Sequence, residues 1–158
     1  IGRLVGSEMC IRDRYKPSSE WRFHQDIYIK KKDAQAIVHT HSTNATALSV
    51  HKKPIPAFHY MVALAGGNDI KCAKYATYGT RELSKNILKA LNNRKACLIA
   101  NHGQIAFDKN LPDAFELAQE VENLSLQYIT ALKLGKPKIL SINEMNKVLK
   151  KAKNYKRG

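Results

Sequence analysis

Three of the six histidines in this 158-residue chain stand where a metal site could be built. His39 and His41 flank Thr40 in the run Ala36-Ile37-Val38-His39-Thr40-His41-Ser42. Ile37-Val38-His39 reads as a buried strand, and in a strand residues i and i+2 project to the same face. The two imidazoles then lie side by side, with Thr40 turned away. His102 closes a second apolar run, Cys97-Leu98-Ile99-Ala100-Asn101-His102-Gly103. A histidine pair at strand spacing with a third at the end of another strand is a common construction for a three-nitrogen metal site. Each histidine alone reads as an ordinary residue near a strand end; the pair with its distant partner favours metal. Three histidines leave a coordination position open for substrate or water, as a Lewis-acid catalyst needs. A closed structural zinc site would more often include cysteines, and none sits at ligand spacing here.

Such a metal needs an acid or base beside it. Glu20 follows Ser18 and Ser19 in a loop otherwise poor in acids. Ser18-Ser19-Glu20 reads equally well as a helix-start cap or as a site. Tyr60, in Phe58-His59-Tyr60-Met61, reads equally well as a core aromatic.

The elements around these residues alternate. Asp26-Ile27-Tyr28-Ile29 is a strand candidate, followed by a lysine-rich turn and the strand of the histidine pair. Asn44 to Val50 is a short helix candidate. Pro54 and Pro56 mark a break, and Gly66-Gly67-Asn68-Asp69 is a loop without phosphate-cradling spacing. Thr80 can cap a helix running to about Asn92, with Leu83, Ile87 and Leu91 along one face. Asn110 with Asp113 resembles a capping arrangement. The helix it opens carries Ala114, Leu117, Ala118, Val121, Leu124, Tyr128 and Leu132 on one stripe, and Gly135-Lys136-Pro137 ends it. Ser141-x-x-Glu144 is a capping box for a last helix with a lysine-rich face. Strands interleaved with helices predict a single layered α/β domain, and no internal repeat interrupts it. Residues 1–14 lack a clear period and are read as a non-native or disordered leader, the alternative being a frayed strand. The domain then spans residues 15–158.

Composition narrows the function classes. At 44% hydrophobic and 25% charged residues the chain is ordinary globular material. No apolar run approaches a membrane span and none resembles a signal peptide. Three widely spaced cysteines, Cys10, Cys72 and Cys97, suggest free thiols in a reducing cytoplasm. The net charge of +14 raises nucleic acid as a partner. The lysines are dispersed, however, and no ribonucleoprotein, zinc-finger or helix-turn-helix pattern accompanies them. Surface lysine that attracts an anionic substrate fits at least as well, so neither a specific nucleic acid nor a membrane is expected as a partner.

Several motifs occur in an order that resembles the class II aldolase/adducin family. They are Lys16-Pro17-Ser18-Ser19-Glu20-Trp21, the H-x-H strand, Ile55-Pro56-Ala57-Phe58-His59-Tyr60-Met61, Ala65-Gly66-Gly67-Asn68, Tyr75-Ala76-Thr77-Tyr78-Gly79-Thr80-Arg81-Glu82-Leu83 and Asn101-His102-Gly103. The resemblance runs from Lys16 to about Tyr155 and is nearest to the family's sugar-phosphate aldolases. It implies a layered α/β/α sandwich. It implies Zn²⁺ bound by His39, His41 and His102, with Glu20 as acid/base and as a further ligand of the resting metal. Ser18 and Ser19 would hold the substrate phosphate, and Tyr60, at a subunit boundary, would give a proton to the aldehyde oxygen. Tyr155 is matched, across a gap near Lys136, to a tyrosine of the family's mobile tail. The implied reaction cleaves a ketose 1-phosphate such as L-fuculose 1-phosphate to dihydroxyacetone phosphate and an aldehyde such as L-lactaldehyde, in a homotetramer with its site between subunits.

The chemistry agrees with these residue types. Breaking a C3–C4 bond beside a ketone needs charge stabilisation of an enediolate, which a divalent cation supplies without a Schiff-base lysine. The Gly-Asn and Thr-Gly phosphate motifs that precede the Pro-Ser-Ser-Glu loop in the family have no counterpart here, which reads as truncation or an incomplete N-terminus. Three other readings compete. An L-ribulose-5-phosphate 4-epimerase would carry Asp at the place of Glu20. A methylthioribulose-phosphate dehydratase is poorly separated by sequence. An adducin-like interaction module would have lost the histidines.

Overall fold

The computed structural model describes residues 17–155, with side chains through residue 152. The expected leader with Cys10, and the side chain of Tyr155, lie outside that range. The first element, α1 (Trp21–Lys30), overturns the expected strand at Asp26–Ile29. Phe23 and Ile27, one helical turn apart, are both fully buried while Ile29 is 65% exposed. A strand would have put Ile27 and Ile29 on the same face; the helix separates them. Here tertiary burial of one face overrides the strand propensity of Ile-Tyr-Ile.

β1 (Ala36–Thr40) carries the first histidine, and α2 (Thr43–Ser49) follows at once. β2 (Ile55–Pro56) leads into a short 3₁₀ helix (Tyr60–Ala65), then β3 (Asp69–Ile70) and β4 (Cys72–Ala73). α3 (Arg81–Ala90) begins where Thr80 Oγ1 accepts the Leu83 amide, the predicted cap. β5 (Ala96–Ile99) and β6 (Gly103–Asp108) form the hairpin whose turn holds His102. α4 (Leu111–Lys133) begins at Asn110, whose side chain accepts the Asp113 amide as its spacing predicts. Its stripe buries Ala114, Leu117, Ala118, Val121 and Leu124, but Leu132, in the last turn, is 45% exposed. The Ser141 hydroxyl accepts the Glu144 amide at 3.2 Å at the start of α5 (Ile142–Tyr155).

The main sheet runs β1-β6-β5-β4, antiparallel at β1/β6 and β6/β5 and parallel at β5/β4; β2 and β3 make a small antiparallel pair. Alternation along the central strands separates two cores. Cys97, Ile99, Ile105 and Phe107 pack with Phe23, Ile27, Leu83, Ile87 and Leu91 on the α1/α3 side. Ala96, Leu98 and Ala106 pack with Leu48, Val62, Leu117, Val121, Leu124 and Met145 on the α2/α4/α5 side. Burying a single such Leu, Ile or Val contributes about 1.5–3 kcal/mol. The result is the expected layered α/β/α sandwich. Among the described residues, no helix is long and apolar enough to cross a membrane.

Candidate metal centre

The end of β1 sets the geometry. His39 belongs to the strand and His41 lies one residue beyond it, so both imidazoles project toward the α1 side while Thr40 projects toward α4. Their Nε2 atoms stand 3.1 Å apart. His102 enters from the β5/β6 turn, with ring centroids 5.0 Å from His39 and 4.7 Å from His41. Glu20 occupies the N-cap position of α1 yet makes no capping hydrogen bond. Its Oε1 lies 2.8 Å from His102 Nε2 and its Oε2 lies 3.1 Å from His39 Nε2. The two readings of Ser18-Ser19-Glu20 are thus resolved: the backbone starts a helix, and the carboxylate faces the histidines.

One donor atom from each of Glu20, His39, His41 and His102 falls within 4.8 Å of all the others. The donor set fits a zinc-like divalent ion. A tetrahedral ion with bonds of about 2.0–2.1 Å separates its ligand atoms by about 3.3 Å, the scale of the contacts here. His39 Nδ1 is 2.7 Å from the Gln104 carbonyl, which can only accept. That hydrogen bond fixes the tautomer and leaves the Nε2 lone pair toward the cluster. Burial, and then the neighbouring imidazoles, hold the pKa of His39 below its ordinary value, although Gln104 and Glu20 pull the other way. Burial likewise lowers His102, partly opposed by Glu20. Neutral imidazoles are the form a metal requires. His24, stacked on Phe23 at 4.7 Å, is pushed down to about 4 by burial and by His39, so it too is uncharged at neutral pH.

Two glycines make the arrangement possible. A Cβ on Gly103 would collide with the Thr40 carbonyl and sit 3.1 Å from His41 Cδ2. At Gly79, where φ is +75°, a Cβ would lie 2.8 Å from the Ser19 carbonyl, so the Tyr78-Gly79 turn abuts the Ser18-Ser19-Glu20 loop. Both serines are exposed, and the Ser18 hydroxyl accepts the Glu20 amide at 3.3 Å.

The structure does not bring Tyr60 to this cluster within the chain. Tyr60 opens the 3₁₀ helix, which packs with α4 and α5 on the opposite side of the sheet. It is 55% exposed and is no core aromatic; its ring leans on His59 at 4.7 Å. Sequence reasoning overlooked the Gln104 carbonyl and His24. The only signal for Gln104 was its place in the strand that follows His102. Cys72 and Cys97 are free thiols, and burial raises the pKa of both, Cys72 to about 11. Protonated thiols of this kind are neither ligands nor nucleophiles.

A layered α/β/α domain with three histidines and one carboxylate converging at its sheet end has the donor set to hold a metal ion. Residues 2–129 match the family described as Class II Aldolase and Adducin N-terminal domain, and the chain belongs to that family. The chain is 52% identical over 152 residues to the 5-methylthioribulose-1-phosphate/5-deoxyribulose-1-phosphate aldolase of Rhodospirillum rubrum, covering 96% of this chain and 69% of that protein. It is 53% identical over 140 residues to the L-fuculose phosphate aldolase of Escherichia coli O6:H1, covering 88% of this chain and 65% of that protein. A solved L-fuculose 1-phosphate aldolase superposes with a TM-score of 0.85 at 45% identity, over 88% of this chain and 65% of that one. The chain therefore spans about two thirds of the length of these relatives.

Proposed function

We propose that the protein is a zinc-dependent aldolase that cleaves a ketose 1-phosphate to dihydroxyacetone phosphate and an aldehyde, with L-fuculose 1-phosphate giving L-lactaldehyde. The observation that carries this reading is the convergence of Glu20, His39, His41 and His102 at the end of the sheet. His39, His41 and His102 would hold the cation, with Glu20 completing the set in the resting state. When bound, the cation supplies Lewis-acid charge to the substrate's oxygens. Breaking the C3–C4 bond leaves the electron pair on C3, and Glu20, which takes up a solvent proton once substrate is bound, gives it to that carbon. The C4 hydroxyl gives its proton to the Tyr60 oxygen while the Tyr60 phenol passes its own to solvent, and in the condensation direction the phenol protonates the aldehyde oxygen and regains a proton from solvent. Ser18 and Ser19 donate hydrogen bonds to the phosphate oxygens. The exposure of Tyr60 is in keeping with a role across a subunit boundary in a homotetramer, with Tyr155 acting from the tail. A cytoplasmic location belongs to the same reading.

The likeness to the Rhodospirillum rubrum protein, which extends over nearly the whole chain, favours a second substrate within this chemistry. A 5-deoxyribulose or 5-methylthioribulose 1-phosphate would break at the same bond, release the same dihydroxyacetone phosphate, and differ only in its aldehyde. The test is to strip the full-length protein with a chelator and follow dihydroxyacetone phosphate release from L-fuculose 1-phosphate and 5-deoxyribulose 1-phosphate, with and without added Zn²⁺. Activity should return with the metal, and the faster ketose identifies the substrate. Equal activity in stripped and restored samples, or activity that survives His41→Ala, overturns the mechanism.

A further inference from the structure

The side of the sheet away from the histidines carries a partly buried polar network that the proposed reaction does not use. α2 is a seven-residue helix wedged between two proposed ligands. His41 and the N-cap Ser42 precede it directly. At its C-terminal end the Ser49 carbonyl accepts the Asn101 amide at 3.3 Å, and the Ser49 hydroxyl accepts the His102 amide at 3.4 Å. Ser49 is fully buried, and Asn101 takes a left-handed conformation at φ 54° to make this turn. The helix is therefore a strut between the His41 segment and the His102 turn.

The strut is capped from outside. Ser42 makes no side-chain hydrogen bond to its own helix. The amides that an N-cap oxygen would ordinarily accept are taken instead by Glu122 of α4, nearly eighty residues away. Glu122 Oε1 accepts the Asn44 amide at 2.8 Å and the Asn44 side-chain amide at 2.7 Å, and Oε2 accepts the Ala45 amide at 2.8 Å. Ser42 Oγ, released from capping, accepts Gln104 Nε2 at 2.9 Å, and the same Nε2 donates to the Ala118 carbonyl at 2.9 Å. Gln104 is the residue whose main-chain carbonyl orients His39. Glu122, Ser42 and Gln104 thus tie α4 to the supports of all three histidines.

We propose that Glu122 is a positioning residue for the metal centre: by capping α2 from α4 it sets the separation of His41 and His102. The proposal rests on the metal-binding reading above. The burial of Glu122 works against its charged form, but the hydrogen bonds from Asn44, Ala45 and Ser42 outweigh it and hold the pKa below the ordinary value. The carboxylate is therefore charged at neutral pH, when charge-assisted capping is strongest.

The test measures Co²⁺ and Zn²⁺ affinity of the full-length apo protein by competition with a chromogenic chelator, together with the visible spectrum of the Co²⁺ form. Glu122→Gln places an amide against backbone amides; it should weaken affinity by about ten-fold, the scale seen when groups supporting a ligand are removed, and should alter the Co²⁺ spectrum. Glu122→Asp keeps the charge and should recover part of the loss. Glu116→Gln, exposed on the same helix, should change neither readout. Unchanged affinity and spectrum in Glu122→Gln, with only thermal stability lowered, would reduce Glu122 to a structural cap and overturn the proposal. Should Glu122→Gln not fold, wild-type affinity in Glu122→Asp alongside a lowered melting temperature overturns it equally. A wild-type protein that binds neither metal defeats the metal-binding reading itself, before any variant is compared.

Discussion

Three of the four donors of the candidate metal centre and the residues proposed to meet substrate are held very differently; the fourth donor, His41, is itself exposed. The side chains of Glu20, His39 and His102 are only 17%, 9% and 12% exposed. They issue from a helix start, a paired strand and a hairpin turn, each braced by hydrogen bonds. Ser18, Ser19 and Tyr60 are exposed, and Tyr60 sits on the far side of the sheet with no hydrogen-bond partner for its hydroxyl among the described residues. The contrast follows from what each group must do. Metal ligands need fixed spacing within a few tenths of an ångström, so the fold of one chain supplies it. Groups that meet a substrate must stay accessible until it arrives.

Mutation can break that contrast. The largest effect is expected from His41→Ala, which should abolish zinc retention on equilibrium dialysis and with it the aldolase activity of the full-length protein. Retention of one zinc per chain would remove His41 from the ligand set. Glu20→Gln should lower kcat by about 10²–10⁴-fold, as loss of a general acid–base group does. If dialysed Glu20→Gln still holds zinc, its main role is proton transfer; if it loses zinc, Glu20 belongs chiefly with the ligands. Tyr60→Phe should fall at the lower end of that range, about 10²-fold in kcat, with zinc content unchanged. A wild-type kcat in this variant would take Tyr60 out of the reaction.

The smallest effect separates the buttress from the site it supports. The folded pKa of Glu122 is lowered, so the unfolded chain binds its proton more tightly, and the contribution of Glu122 to stability is present above the unfolded carboxylate pKa of about 4.3 and lost as pH falls through the lower folded value. Urea titration of the apo protein should show Glu122→Gln less stable than wild type by about 1.5–3 kcal/mol at pH 6, the range for hydrogen bonds to a charged group. The gap should close toward pH 3. A difference that stays constant across this range would mean that the carboxylate charge contributes nothing to the cap.

Much of the scaffold was legible because its signals are local. Thr80, Asn110 and Ser141 each cap the helix that their spacing indicates, since a cap needs only the next three residues. The histidine pair was legible for the same reason, because strand alternation places i and i+2 together without reference to the rest of the chain. The segment from Asp26 to Ile29 misled because its residues favour a strand, while the choice was made by the buried face of Phe23 and Ile27 against α3. The roles proposed for Ser18, Ser19, Glu20 and Tyr60 rest on family resemblance.

By itself, then, the sequence determined the layered α/β class, the caps and the imidazole pair, all of which depend on neighbours a few residues apart. Only the tertiary structure decided that the Glu20 carboxylate turns away from its own helix toward His39 and His102. It alone decided that Gln104 orients His39, that Glu122 caps a helix nearly eighty residues away, and that Tyr60 stands outside the cluster. The physical reason is that these are pairings across the sheet. Each depends on which side chains are buried opposite one another once the two cores have formed, and no local spacing encodes that.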